Sequence, residues 1–574
     1  MTRDSLVIAL AQCNPTVGDV GGNLARARAA RSQAAAGGAE LVVFSETFLS
    51  GYPAEDLVLK PMFLEEIRTA AEDLARDTAD GGPGVLIGAP WAEGDLNQGP
   101  LRGRVYNAAL LLDNGKIQSV RYKYDLPNYG VFDEVRIFKA GPLPGPMSFR
   151  GVRLGVMICE DMWGPEPTEC LEESGAEILV VPNGSPYEID KTDERLQLAV
   201  ARVSESNLPL IYVNQVGGQD ELVFDGASFV LDADHTMAAQ LPSFAEALTL
   251  THWTRGDDER WRVAPAERVA PMEGLSAIYS ALCLGLRDYV GKNRFPGVIL
   301  GLSGGIDSAL SAAVAVDALG PDKVHCVMMP SPYTSDESLE DAAGAATLMG
   351  TRLDTVPIEP AMGAFGDMLA PLFGDRAPDI TEENIQSRSR GLILMALSNK
   401  LGAMVLSTGN KSEMSVGYAT LYGDMCGGYN VLKDVYKMTV FELSRWRNQN
   451  RPDGVLGPAG RVMPERIIEK PPSAELKPDQ TDQDSLPPYE VLDDILQCLI
   501  EAEMPIDQIA ARGHDEDTIK RVWRLLDLAE YKRRQACPGV KITRRNLSRD
   551  RRYPITNSFK GPSGKGAARP PADG

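Results

Sequence analysis

The chain has 574 residues, 43% apolar and 24% charged, the balance of a globular protein too long for one core, so two or three domains are expected. Its 58 Lys and Arg against 80 Asp and Glu leave a net charge of −22, which disfavours nucleic-acid and anionic-membrane partners. Eight cysteines without a CxxC pair speak against a disulfide framework or a structural zinc, and four histidines (His235, His252, His325, His514) supply little for an imidazole relay.

The apolar run at 6–11 is too short for a signal-peptide core, and no stretch is long enough to span a bilayer, so a reducing cytoplasm is the expected compartment. SLVIALAQ (5–12) predicts a strand and the Ala/Arg stretch 23–38 a helix stopped by two glycines. A strand at 40–46, a helix at 63–82 and a strand at 84–90 follow. Residues 106–127 predict a hairpin around the turn Asp113-Asn114-Gly115. Further strands are expected at 153–161 and 176–186. Continuous apolar strands mixed with hairpins imply an α/β layered first domain, taken as 1–250.

The charged, Trp-containing stretch 251–272 reads as a linker. A second α/β domain is expected over 273–555. It has helices at 274–293 and 390–402 and strands at 297–302, 323–330 and 403–410, an alternation that implies a doubly wound parallel sheet. The Pro-, Asp- and Gln-rich segment 470–490 is either a plain loop or a cover over a site. The chain from 541 onward carries nine Lys and Arg against two Asp, and 556–574 reads as a flexible tail.

Two groups of residues carry chemistry. Gly301-Leu302-Ser303-Gly304-Gly305-Ile306-Asp307-Ser308 joins a strand to a helix. Its glycines let the backbone approach a polyanion, the helix N-terminus directs N–H groups at it, and the serines add donors. Asp307 among phosphates makes sense as a holder of Mg²⁺. In the first half, Glu46, Lys123 and Cys159 stand at predicted strand ends. A carboxylate can take a thiol proton there, and a cationic lysine would lower the thiol pKa and steady an oxyanion. Cys13 and Cys170 have no comparable setting and read as structural.

SGGIDS resembles the PP-loop of ATP pyrophosphatases. With Glu383-Asn384-Ile385-Gln386-Ser387-Arg388, Ser407-Thr408-Gly409-Asn410-Lys411-Ser412-Glu413 and Gly417-Tyr418-Ala419-Thr420 it is similar to NAD synthetases. That resemblance implies that 301–308 and Thr408 bind ATP, that Asp307 and Glu413 hold Mg²⁺, and that Asn384, Glu413, Lys433 and Lys532 meet deamido-NAD, with Arg388 a further candidate. FSETFLSGYP, YKYDLPNYG and MICEDMW resemble the nitrilase superfamily over roughly 5–235. This implies an αββα sandwich, a catalytic Glu46–Lys123–Cys159 set, Tyr129, Ser185 and Lys191 as amide-substrate contacts, and Glu134 as a second carboxylate near the lysine. Together they resemble the glutamine-dependent NAD synthetase family over nearly the whole chain. The resemblance implies L-glutamine, ATP and deamido-NAD as substrates, ammonia passed through a tunnel, and a homo-oligomer with synthetase-domain contacts. Another PP-loop glutamine amidotransferase, or a decayed dinucleotide-binding protein, remains the alternative.

Overall fold

A computed structural model describes residues 3–96, 101–478 and 480–559. Two compact units result. One is Met1–Phe295 with Pro452–Val455 and Val540–Ile542; the other is Pro296–Arg451, Leu456–Gly539 and the described residues from Thr543.

In the first unit, Ser5–Gln12 lies inside a seven-stranded sheet, between Leu41–Val43 (parallel) and Ala247–Arg255 (antiparallel). Its period of two sorts the side chains. Leu6, Ile8 and Leu10 face a second sheet, whereas Ala9 and Ala11 face helices Val20–Ala36 and Pro61–Asp77. The second, six-stranded sheet is centred on Val152–Val156, Ile178–Asn183 and Leu210–Asn214. It meets the first through Leu154, Val156, Ile178, Val180, Ile211 and Val213, and its other face is covered by helix Lys191–Ser206. This is the expected αββα sandwich.

Several boundaries differ from the sequence reading, each for a local reason. The first helix starts at Val20 because the Asp19 side chain accepts from the Gly22 N–H. The strand expected at 40–46 stops at Val43, and Ser45 to Thr47 turn sharply over Gly88, where any Cβ would lie 2.2 Å from the Thr47 nitrogen. The linker expected at 251–272 is a correction. Ala247–Arg255 and Trp261–Val263 extend the first sheet, with Trp253 and Trp261 buried and His252 outward. Charges on the solvent side of an edge hairpin had masked the alternation. Helix Gly274–Lys292 also falls in the first unit rather than in a domain opening at 273. Asp288 accepts from the Gly218 N–H at 2.7 Å and the Asn14 amide at 2.7 Å, and Lys292 donates to Asn14, Pro15 and Gly218.

The second unit is built on five parallel strands in the order Arg352–Thr355, Val324–Met328, Val298–Gly301, Met404–Ser407, Tyr429–Asn430. The order reverses at Val298–Gly301, so the crevice at its carboxyl end is the place where such sheets bind ligands. Helix Ile306–Leu319, apolar and almost wholly buried, starts there. Helices Tyr489–Ile500 and Glu516–Leu528 add a separate apolar cluster with Met414, Tyr436 and Leu547. The segment 556–559 is irregular, and the remainder of the expected tail lies outside the described residues. No helix among the described residues is long and apolar enough to cross a membrane.

Candidate active sites

The first site forms where strand ends of the two sheets of the first unit meet. Lys123, just past Lys116–Tyr122, is fully buried, and its ammonium donates to Glu46 Oε1 at 2.7 Å and to Glu134 Oε1 at 3.0 Å. Burial alone would pull this lysine down, but Glu134 and Glu46 together push it well above its ordinary value, so it stays cationic. Glu46 is fixed at three further points of contact: the Asn107 amide donates to Oε1 at 2.7 Å, the Gly184 N–H to Oε2 at 2.9 Å, and the turn itself holds its backbone. Glu134 also accepts from the Tyr52 hydroxyl at 2.9 Å, and burial pushes its carboxyl up against the pull of Lys123.

Cys159 opens a short turn (Cys159–Met162) beyond Val152–Val156 and takes a left-handed φ of 49°, a strained backbone for a side-chain-bearing residue. The strand expected over 153–161 ends at Val156 for this reason. Cys159 lies within electrostatic reach of Glu46, Lys123 and Glu134. Burial, then Glu46, raise its thiol well above the usual value, and Lys123 only partly opposes them. Burial thus acts on this thiol more strongly than the lysine that was expected to lower it.

Tyr129, Ser185 and Lys191 surround this group. The Tyr129 hydroxyl donates to Glu160 Oε1 at 2.9 Å, next to the nucleophile. Ser185 Oγ accepts from Arg195 Nε at 3.0 Å, and Arg195 is locked onto Asp225 by two 2.8 Å bonds. Lys191 is buried and lies over the Phe132 ring; burial pulls its ammonium down, with Glu188 opposing. Glu188 in turn accepts from Lys541 at 2.6 Å. Asn107, Tyr52, Glu160, Arg195 and Lys541 escaped the sequence reading. Glu160, adjacent to Cys159 in MICEDMW, and Tyr52, within FSETFLSGYP, carried a local signal.

The second site is a cavity of about 540 Å³ at the switch point of the parallel sheet. Gly301, Leu302, Ser303, Gly305, Ile306, Asp307, Ser308, Thr408, Asn384, Glu413 and Lys532 line it. Gly304 does not; at φ 81° it packs so closely that a Cβ would lie 2.3 Å from the Ser338 carbonyl oxygen. The two loop serines are joined, with Ser303 Oγ 3.1 Å from Ser308 Oγ and the Ser303 hydroxyl accepting from the Gly305 N–H. Asn384 accepts from the Thr420 hydroxyl, and the Lys532 ammonium donates to the carbonyls of Gly417 and Ala419.

Two candidates sit elsewhere. Lys433 is buried against Gly539, and Arg388 donates to the Leu421 carbonyl; neither lines the cavity. Their neighbours do. Lys437, four residues beyond Lys433 and the first residue of helix Lys437–Gln449, donates to Asp307 Oδ2 at 2.5 Å and Glu413 Oε1 at 3.1 Å, and Arg390 lines the wall with its Nε on the Met329 carbonyl. Spacing alone did not separate one lysine of KDVYK from the other.

The Asp307–Glu413 pair suits Mg²⁺, which takes one or two carboxylates and completes its shell with water and substrate phosphate. Burial raises the Glu413 carboxyl, with Lys437 opposing and Asp307 adding to the rise, so the pair gains from a cation between its members. Among the described residues no three His, Cys, Asp or Glu side chains converge as a closed metal site would need. The open question over 470–490 resolves toward a wall. Pro472 to Lys477, Gln480, Asp482 and Ser485 line the cavity, with Glu475 accepting from the Ser335 and Ser338 hydroxyls at 2.9 and 2.7 Å.

A cysteine hydrolase site in an αββα unit and a phosphate-binding crevice in a parallel α/β unit define a carbon–nitrogen hydrolase joined to a nucleotide-dependent synthase. The carbon–nitrogen hydrolase family is matched over residues 7–263 and the NAD synthase family over 278–536. The glutamine-dependent NAD(+) synthetase of Rhodobacter capsulatus is 51% identical over 557 residues, 97% of this chain and 99% of the relative. That of Thermotoga maritima is 43% identical over 97% of this chain and 99% of its own. The solved structure of the glutamine-dependent NAD+ synthetase from Acinetobacter baumannii in complex with adenosine diphosphate superposes with a TM-score of 0.76 at 42% identity, covering 96% of this chain and 99% of the other. The chain belongs to the glutamine-dependent NAD(+) synthetases.

Proposed function

We propose that the chain converts deamido-NAD to NAD with ATP, taking the nitrogen from L-glutamine. At the first site, Cys159 Sγ attacks the side-chain amide carbon of glutamine while Glu46 takes the thiol proton. Lys123 faces the oxyanion of the tetrahedral adduct, and Glu134 and Asn107 keep the lysine and base in register. The adduct collapses as Glu46 returns the proton to the leaving nitrogen, which departs as ammonia. Water, deprotonated by Glu46, then cleaves the glutamyl thioester to glutamate and free thiol. Tyr129, Glu160, Ser185 and Lys191 hold the substrate's amino and carboxylate ends. The fully buried Glu46–Lys123 ion pair beside a strained Cys159 carries this reading.

At the second site, the nicotinate carboxylate of deamido-NAD attacks the α-phosphorus of ATP and pyrophosphate leaves; ammonia then displaces AMP from the acyl adenylate. Ser303, Ser308, Thr408 and the N–H groups opening Ile306–Leu319 cradle the phosphates, and Asn384, Glu413, Arg390 and Lys532 address the dinucleotide. Mg²⁺ bound by Asp307 and Glu413 would neutralise phosphate charge, freeing Lys437 for the departing pyrophosphate.

Ammonia released into neutral water is protonated and loses its nucleophilic lone pair, so the reading includes its internal passage. Synthesis from ¹⁵N-amide glutamine in excess ¹⁴N-ammonium is the test. Mass spectrometry should find the label retained in NAD, and full dilution of the label would remove the passage from the scheme.

The reading includes a homo-oligomer, supported by an apolar face of the second unit. Helix Glu359–Phe373 buries none of its residues, and Met368 and Leu372 are 62% and 73% exposed. The neighbouring helix Ile380–Leu401 carries Asn384 at the site and exposed Leu392 and Met395, so an apolar face runs on from the cavity. A second copy of the chain is the occupant it suits. Met368→Asp with Leu372→Asp should lower the mass found by light scattering to that of a smaller assembly; an unchanged mass would put the contact elsewhere. No disulfide forms among the described residues, which suits a reducing cytoplasm.

A further inference from the structure

Asp161, two residues past the nucleophile, is fully buried, and its two oxygens serve different elements. Oδ1 accepts from the backbone N–H groups of Tyr124 at 2.9 Å and Asp125 at 2.8 Å. Those are the two residues that follow Lys123. Oδ2 accepts from the Ile158 N–H at 2.9 Å, the residue that precedes Cys159. One carboxylate thus ties the end of Lys116–Tyr122, in the first sheet, to the turn after Val152–Val156, in the second. Lys123 is bound from its other side as well, its N–H on the Asn107 carbonyl at 2.8 Å and its carbonyl on the Gly141 N–H at 2.7 Å.

We infer that Asp161 is a positioning residue of the glutaminase reaction, a clamp that fixes the lysine facing the oxyanion relative to the strained nucleophile. Three features of the arrangement make the carboxylate specific. All three partners are N–H donors, so both oxygens must accept, and an amide of the same shape would set a donor against a donor on one side. The φ of 49° at Cys159 needs surroundings that over-determine it, and the bond to Ile158 is the side-chain contact that fixes the backbone just before it. A carboxylate sunk this deep is also costly to keep: burial pushes it up to about 7 even with three donors aimed at it. A purely packing role would be met by an apolar side chain of similar volume.

The bonds that the Asp161 carboxylate makes, to the Tyr124, Asp125 and Ile158 N–H groups, involve none of the side chains that hold glutamine. Tyr129 bonds Glu160, Ser185 bonds Arg195, and Lys191 faces Glu188. Loss of the clamp therefore separates turnover from binding. A shift of about 1 Å between reacting groups is worth about 10²-fold in rate.

This inference rests on the proposed Glu46–Lys123–Cys159 chemistry, and the experiment keeps the two apart. Full-length Asp161→Asn is compared with wild type and Cys159→Ala for glutamine-driven NAD formation, ammonium-driven NAD formation and kcat and KM for glutamine hydrolysis. The expected result for Asp161→Asn is a kcat about 10²-fold lower, KM for glutamine within about twofold, and ammonium-driven synthesis unchanged. Alkylation of Cys159 by iodoacetamide followed against pH should shift as well, because the thiol no longer keeps its set distance from Lys123. Wild-type kcat in Asp161→Asn overturns the clamp, and so does a kcat loss accompanied by an equal rise in KM, which marks general loosening of the unit. If instead Cys159→Ala retains glutamine-driven synthesis, the underlying site assignment falls, whatever Asp161→Asn does.

Discussion

Cys159→Ala is expected to lower glutamine-driven NAD formation by about 10⁴-fold while leaving synthesis from added ammonium near the wild-type rate. The size of the first effect follows from what is removed. Without the sulfur no thioester forms, and what remains is uncatalysed attack of water on an amide held near Lys123. Glu46 does not replace it, because its place is fixed by the Asn107 amide, the Gly184 N–H and Lys123 for proton transfer, and a carboxylate is a far weaker nucleophile than sulfur. The second effect follows from the separation of the two sets of side chains. Every residue assigned to hydrolysis belongs to the first unit, Lys541 of the segment Val540–Ile542 included, and every residue around SGGIDS belongs to the second. Alanine in place of a buried thiol changes little volume, so unfolding is not the expected cause. Formation of NAD is followed by an alcohol-dehydrogenase coupled assay. Loss of both activities together, or loss of neither, would contradict the assignment.

The physical origin of each signal decides how much of this was legible in the sequence. The apolar runs at 6–11, 176–186 and 297–302 gave the sheets, because one or both faces of those strands are buried. Trp253 and Trp261 follow the same rule, yet the surrounding Arg, Asp and Glu of an edge hairpin hid them. The boundary near 273 was misplaced because what holds Gly274–Lys292 to the first unit is polar: Asp288 and Lys292 reach backbone groups of Gly218 and Pro15, partners that periodicity cannot name. At the sites, residues in contiguous motifs were readable and residues brought in by topology were not. Glu46, Cys159 and Asp307 stand in recognisable strings; Asn107 reaches the first site only through strand pairing. The raised thiol of Cys159 was beyond sequence for another reason. Desolvation and the balance of one lysine against two carboxylates depend on depth and distance, and here they outweigh the lysine.

The counterpart substitution lies at the other site. Asp307→Asn is expected to cut pyrophosphate release and NAD formation by about 10³-fold or more from either nitrogen donor, while glutamine hydrolysis continues. Asp307 opens helix Ile306–Leu319 and its oxygens are divided between the Asn410 amide at 2.8 Å and the Lys437 ammonium at 2.5 Å. An amide at this position keeps the volume and loses the charge. Two consequences add. The pair Asp307–Glu413 can no longer offer two carboxylates to Mg²⁺, and Lys437, held well above its ordinary value chiefly by Asp307 and Glu413 against the opposing effect of burial, is left with one anionic partner. Loss of the ion weakens the positive field in which pyrophosphate departs, and loss of the Asp307 contact leaves the Lys437 ammonium less firmly placed. Raising Mg²⁺ should recover only part of the rate, because added ion restores occupancy but not the second charge. Chelation of Mg²⁺ in the wild-type enzyme should reproduce the loss at this site and spare glutamine hydrolysis, whose residues hold no metal in the proposed chemistry. Pyrophosphate measured by coupled phosphate release, alongside glutamate from labelled glutamine, distinguishes the outcomes. Wild-type pyrophosphate release by Asp307→Asn would remove Asp307 from the metal site, and equal loss of glutamine hydrolysis would mean that the charge at 307 acts beyond its own crevice.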